Sequence, residues 1–98
     1  MLVKVHKSYR EIIAVCDSYL LGKKFEEDIF QLEVKENFFN GEKVSKQELL
    51  GILQNFSKED ATFNFIGEKS INCAIQSGLV TEEGVKKIKN IPFAMVLL

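Results

Sequence analysis

The chain has 98 residues, 46% of them apolar and 28% charged, with a net charge of −1. Such a length holds one small core, since domains span roughly 50–250 residues, and the apolar share excludes an intrinsically disordered chain. Thirteen Lys and Arg against fourteen Asp and Glu exclude sequence-blind binding to duplex DNA, which rests on neutralising many phosphates.

No apolar run approaches the roughly 18–20 residues that span a bilayer. The longest, Pro92 to Leu98, is strand-sized. Leu2-Val3-Lys4-Val5-His6-Lys7 after Met1 is too short and too charged for a signal peptide. Cys16 and Cys73 lie far apart with no Cys-x-x-Cys spacing. Neither a zinc ribbon nor a disulfide scaffold is expected, and a cytoplasmic setting with reduced thiols follows.

In chain order, Leu2, Val3 and Val5 interleave with Lys4 and His6, the period of a half-buried strand. Lys7-Ser8-Tyr9 turns the chain. Arg10 to Asp17 has a continuous apolar middle, the pattern of a central strand covered on both faces. Leu21-Gly22-Lys23-Lys24 reads as a second turn. From Ile29 to Lys35 the alternation puts Phe30, Leu32 and Val34 on one face and Gln31, Glu33 and Lys35 on the other. Asn40-Gly41 is a tight-turn signal, because both residues tolerate positive φ.

The second half reads as helix. Ser45-Lys46-Gln47-Glu48 fits a capping box, with Val44 and Leu49 as its hydrophobic staple. Leu49, Leu50, Ile52, Leu53 and Phe56 form one apolar stripe. Ala61 to Ile66 reads as a short extended link. Gly67 precedes a second helix, Glu68 to Ser77, which Gly78 closes as a left-handed residue with Leu79 folding back. Thr81 caps a short third helix, with Glu82 and Glu83 at its start and Lys86 and Lys87 near its end. Pro92 opens a last strand. The fold class is therefore a single α+β domain over residues 1–98, two-layered, with a mostly antiparallel sheet and helices on one face.

Few residues suggest chemistry. A thiolate at Cys16-Asp17 would need a base, and His6 is the only histidine. A tight hairpin between the first two strands puts Leu2, not His6, opposite Cys16, so Cys16 reads as a small buried hydrophobe. Cys73 reads the same way, and no metal or cofactor site is expected. Lys4, His6, Lys7 and Arg10 form a basic cluster that could meet an anion, set against the use of Lys to protect a strand edge. Phe38 and Phe39 beside Lys35 and Lys43 suggest a stacking surface for single-stranded RNA. As adjacent strand residues they face opposite ways, so one of them is buried and one is free.

The segment Asn64-Phe65-Ile66-Gly67-Glu68-Lys69 combines a side-chain amide, a glycine and adjacent Glu and Lys residues at a helix mouth. Free N–H groups there suit an anion, although Glu68 opposes one. The bland alternative is capping by Asn64 or Glu68. The segment is not a phosphate-binding loop, for Gly-x4-Gly-Lys-Ser/Thr is missing. Ala74-x3-Gly78 before another helix suggests a helix-turn-helix, but Thr81-Glu82-Glu83 would repel phosphates in a groove.

Ser8-Tyr9-Arg10-Glu11-Ile12-Ile13-Ala14-Val15-Cys16-Asp17 and Leu20-Leu21-Gly22-Lys23-Lys24-Phe25-Glu26 resemble the start of a family of small archaeal proteins, the domain-of-unknown-function 424 family. Asn64-x-x-Gly67-Glu68-Lys69, Ala74-Ile75-x-x-Gly78-Leu79-Val80 and Ile91-Pro92-x-Ala94 continue the likeness across nearly the whole chain. The resemblance implies a compact two-layer α+β domain in an archaeal cytosol and carries no activity, substrate or cofactor. Relatives often have polar residues where this chain has Phe93 and Met95, which implies that any polar site there is altered.

The reading favours a non-catalytic binding module acting in translation or RNA handling, with RNA or a ribonucleoprotein as partner and no membrane or duplex DNA. Asn64, Gly67, Glu68, Lys69, Arg10, Phe38 and Phe39 are its candidate contacts. A small enzyme or enzyme subunit using Cys16-Asp17 or the Asn64–Lys69 turn is the alternative, and a homodimer or complex component is a third.

Overall fold

The structure is a computed structural model that describes residues 1–98. Its strands are β1 (Leu2–His6), β2 (Glu11–Cys16), β3 (Lys24–Glu27), β4 (Phe30–Glu33), β5 (Glu42–Lys43), β6 (Ala61–Ile66), β7 (Lys86–Ile88) and β8 (Ile91–Leu97). Its helices are α1 (Glu36–Phe39), α2 (Lys46–Phe56) and α3 (Glu68–Gln76). Six strands form one sheet in the order β5-β1-β2-β6-β8-β7, while β3 and β4 pair only with each other. The β2–β6 pairing is parallel and every other pairing is antiparallel. The protein is thus α+β with a mostly antiparallel sheet.

Alternation along the strands splits the core in two. Val3, Ile13, Val15, Phe63 and Phe65 face α2 and α3 in the larger cluster. Leu2, Ala14, Cys16 and Ile66 point the other way and meet Leu20, Leu32, Val34 and Phe39. Strand β2 supplies both clusters, which is why its apolar run is unbroken. Leu2 lies opposite Cys16, and His6 opposite Ile12, as the hairpin argument predicts. The two longer helices share one face, whereas α1, a single turn, lies on the other.

Helix ends follow their local signals where the partners are local. Glu48 N donates to Ser45 Oγ at 3.2 Å and Ser45 N to Glu48 Oε1 at 3.0 Å, a complete capping box. Val44 and Leu49 are buried together. At the end of α3, Gly78 has φ +84°. Leu79 N donates to Ala74 O at 3.2 Å and Gly78 N to Ile75 O at 3.0 Å, the double closure of a Schellman motif.

Four expectations fail. Residues 61–66 are no link: β6 is a central strand, its parallel partner β2 being 50 residues away in sequence. No helix follows Thr81; a 3-10 turn at Glu82–Gly84 leads into β7, so Lys86 and Lys87 lie on a strand. Phe38 and Phe39 belong to a helical turn, and Asn40 has φ −76°. Gly41 is needed for closeness instead, since a Cβ there would collide with the Val3–Lys4 backbone. The alternating segment splits as well. Leu32 and Val34 are buried, but Phe30, at the hairpin tip, is exposed.

Candidate functional site

The expected anion site at the mouth of α3 is filled by the chain's own carboxylate. Asp17, 2% exposed, follows β2 directly. Its Oδ2 accepts from Lys69 N at 3.0 Å. Its Oδ1 accepts from Ser70 N and from Ser70 Oγ, each at 2.8 Å. Asp17 N in turn donates to Ile66 O at 3.0 Å, extending the β2–β6 ladder by one bond. A carboxylate against free helix N–H groups is the favourable arrangement for the helix dipole. Neither Asn64 nor Glu68 performs the capping expected of them, because Gly67 is the N-cap and offers no side chain.

Gly67 allows this knot. Its φ of +112° is nearly closed to other residues, and a Cβ would collide with the Asp17 carboxyl. Gly67 N donates to Pro92 O at 2.8 Å, tying the turn to β8. The segment therefore links three elements, and the amides of Gly67, Lys69 and Ser70 are already bonded within the chain.

The remaining candidate residues are dispersed. Glu68 and Lys69 are exposed on the first turn of α3. Glu68 lines a cavity of about 420 Å³ with Asn72, Glu82 and Lys87. Arg10 reaches across the sheet end: Nε donates to Thr62 Oγ1 at 3.2 Å, and a terminal guanidinium nitrogen donates to Leu98 O. It clamps the end of β8. Phe39 is buried. Phe38, half-buried, stacks on the His6 ring with centroids 4.6 Å apart. His6 Nε2 donates to Phe38 O at 2.8 Å and Lys4 Nζ to Asn37 O at 3.0 Å, so both bases bind carbonyls of α1. Two members of the basic cluster thus satisfy the orphan acceptors of a short helix.

Asn64 stands apart, on the sheet face that carries α1 and the β3–β4 hairpin. The register aligns Ala14, Asn64 and Met95 in one row and Ile12, Thr62 and Leu97 in the next. In these two rows Ala14 and Thr62 are buried, whereas the β8 ends are left open. Met95 and Leu97 are accordingly 65% and 69% exposed. Between this open area and the hairpin lies a cleft of about 400 Å³, lined by Leu32, Asn64, Lys86, Phe93 and Met95 among others. Its chemistry is mixed: one amide that donates and accepts, one ammonium, and apolar side chains. Sequence reasoning missed Lys86 and Met95 as neighbours of Asn64. No local signal could have joined them, for β6, β7 and β8 meet only through sheet pairing.

Neither cysteine is poised for chemistry. Burial, reinforced by the Asp17 charge, pushes the Cys16 thiol up to about 11. Burial likewise raises that of Cys73, beyond what nearby Lys46 offsets. At neutral pH both are thiols, and the thiolate is the nucleophile.

The architecture defines a class of small α+β proteins: a mixed six-stranded sheet with two helices on one face and a hairpin partly covering the other. Residues 6–98 match the family described as "Protein of unknown function (DUF424)", and the chain belongs to that family. The crystal structure of an uncharacterized conserved protein from Methanopyrus kandleri is similar, with a TM-score of 0.79 and 21% identity. The match covers 98% of this chain and 90% of that one. No curated protein matches the chain.

Proposed function

We propose that this protein is a non-catalytic binding module of the cytoplasm, acting in translation or RNA handling through the open part of its sheet face. The observation that carries the reading is the cleft in which Asn64 and Lys86 adjoin exposed Met95. An unpaired base is flat and apolar on its faces, with donors and acceptors on its edge. Met95 and Leu97 offer the apolar floor, Asn64 the edge contact and Lys86 the charge for a phosphate. The His6–Phe38 stack adds an aromatic surface near the other end of the same face. Balanced net charge favours a short single-stranded segment over a long duplex.

Fluorescence anisotropy with labelled single-stranded RNA tests this. Binding should weaken as salt rises, Asn64→Ala should weaken it by roughly 1 kcal/mol or more, and Lys86→Ala should flatten the salt dependence. Equal binding by both variants and the wild type would remove the cleft from consideration.

A further inference from the structure

We infer that the cavity between α3 and the last strand of the sheet binds a free α-amino acid with an aliphatic side chain. Glu68, Ile71, Asn72 and Ile75 line it from α3. Their spacing, i, i+3, i+4 and i+7, is that of a single helix face. Helix α3 packs against β2, β6 and β8, and β7 lies one strand further out. Ala94 and Val96 face the helices, so alternation turns Pro92 the same way. Lys87 stands opposite Pro92 in the register and shares its face. Glu82 and Val85, from the segment leading into β7, complete the lining. The site therefore lies on the opposite sheet face from the Asn64 cleft and is independent of RNA binding.

The walls carry both signs of charge, unpaired. Glu68 and Glu82 are exposed carboxylates and Lys87 is an exposed ammonium. The chain's ion pair joins Lys24 and Glu26. Neither glutamate is bridged to Lys87, although all three border one cavity. Between them lies apolar surface: Ile71 and Pro92 are buried, and Ile75 and Val85 half-buried.

That arrangement selects the ligand. A simple cation would be repelled by Lys87, and a simple anion by the two carboxylates. An α-amino acid complements both: its ammonium meets Glu68 and Glu82, and its carboxylate meets Lys87. The Asn72 amide donates and accepts, so it bonds either end. An aliphatic side chain then covers the apolar surface. The cavity, about 420 Å³, falls in the lower part of the roughly 300–1,000 Å³ range of small-molecule sites. Its charged groups stay solvated, which keeps the affinity modest, with Kd on the order of 1 mM.

Titration with L-leucine up to about 20 mM, followed by amide NMR shifts, tests this. Isocaproate, which lacks the ammonium, and isopentylamine, which lacks the carboxylate, are the comparison probes. Saturable leucine binding is expected, with shifts centred on α3 and β7 and with each analogue at least about fivefold weaker. Lys87→Ala should weaken leucine about fivefold and leave isopentylamine unaffected. Glu68→Gln with Glu82→Gln should weaken both. All three positions are exposed, so the variants should keep the circular dichroism of the wild type. Absence of saturable leucine binding overturns the inference. So does an analogue that binds as tightly as leucine, a shift pattern centred on the Asn64 cleft, or a leucine affinity unchanged in these variants.

Discussion

Asp17 and Ser70 stand 53 residues apart in the chain, yet one carboxylate oxygen of Asp17 accepts both the backbone N–H and the hydroxyl of Ser70, each at 2.8 Å. This pair locks the end of β2 to the start of α3. Asp17→Ala should remove three hydrogen bonds and leave buried donors unpaired. A loss of about 3 kcal/mol is expected, measured by urea unfolding. A change under ~0.5 kcal/mol would mean that the cap contributes little.

Gly67 faces the same carboxylate. Gly67→Ala meets both an unfavourable φ and the Asp17 side chain, so a loss above about 2 kcal/mol is expected. Gly78, at φ +84° with open space around its Cα, provides the comparison. Gly78→Ala should cost only about 1 kcal/mol. Equal losses in thermal or urea unfolding would contradict the steric part of the argument.

Alkaline pH should act through Cys16. Its thiol is raised from 9.0 to about 11 in the folded protein, by burial first. The unfolded chain therefore loses this proton earlier than the folded one. Stability from this group is complete below about pH 9 and declines from there to about 11. Cys16→Ala should flatten that part of the pH–stability curve while lowering the plateau by about 1 kcal/mol for lost packing. At pH 8 iodoacetamide should leave native Cys16 unmodified and label it once urea unfolds the chain.

At α2, Glu48 titrates below the usual carboxylate range because the Ser45 backbone N–H, and then the Ser45 hydroxyl, bond to it. Its contribution is present above the unfolded value of 4.5 and lost as pH falls through the folded one. Ser45→Ala should reduce stability by about 1 kcal/mol at neutral pH and move the Glu48 titration, followed by NMR, upward.

Arg10→Ala should release the end of β8. With Thr62 and Leu98 both losing a partner, a loss of about 1–2 kcal/mol is expected. Amide exchange should quicken at Leu98 and its neighbours. Unchanged exchange there would show that the strand end holds without the guanidinium.

The features legible in the chain are those whose cause spans a few residues. The unbroken run Ile12–Val15 marks a strand buried on both faces. Ser45 and Glu48 mark a helix start, and Gly78 a helix end. A tight hairpin sufficed to place Leu2 opposite Cys16. At the helix ends and the hairpin the bonding partners are sequence neighbours, and in β2 the apolar run itself carries the signal although its partners in β6 are 50 residues away, so local pattern and structure agree. The Asp17 cap is different, because its donors lie 52 and 53 residues away. A glycine at the N-cap hides the capping signal where one would seek it. Strand β6 looks like a connector until β2 and β8 pair with it on both sides. Lys86 and Lys87 read as helical until the edge of β8 draws them into a strand. The cleft of Asn64, Lys86 and Met95 exists only because three strands distant in sequence are hydrogen-bonded side by side. Backbone pairing between remote segments is decided by the total burial that the sheet achieves, and that quantity is invisible in any short window of sequence.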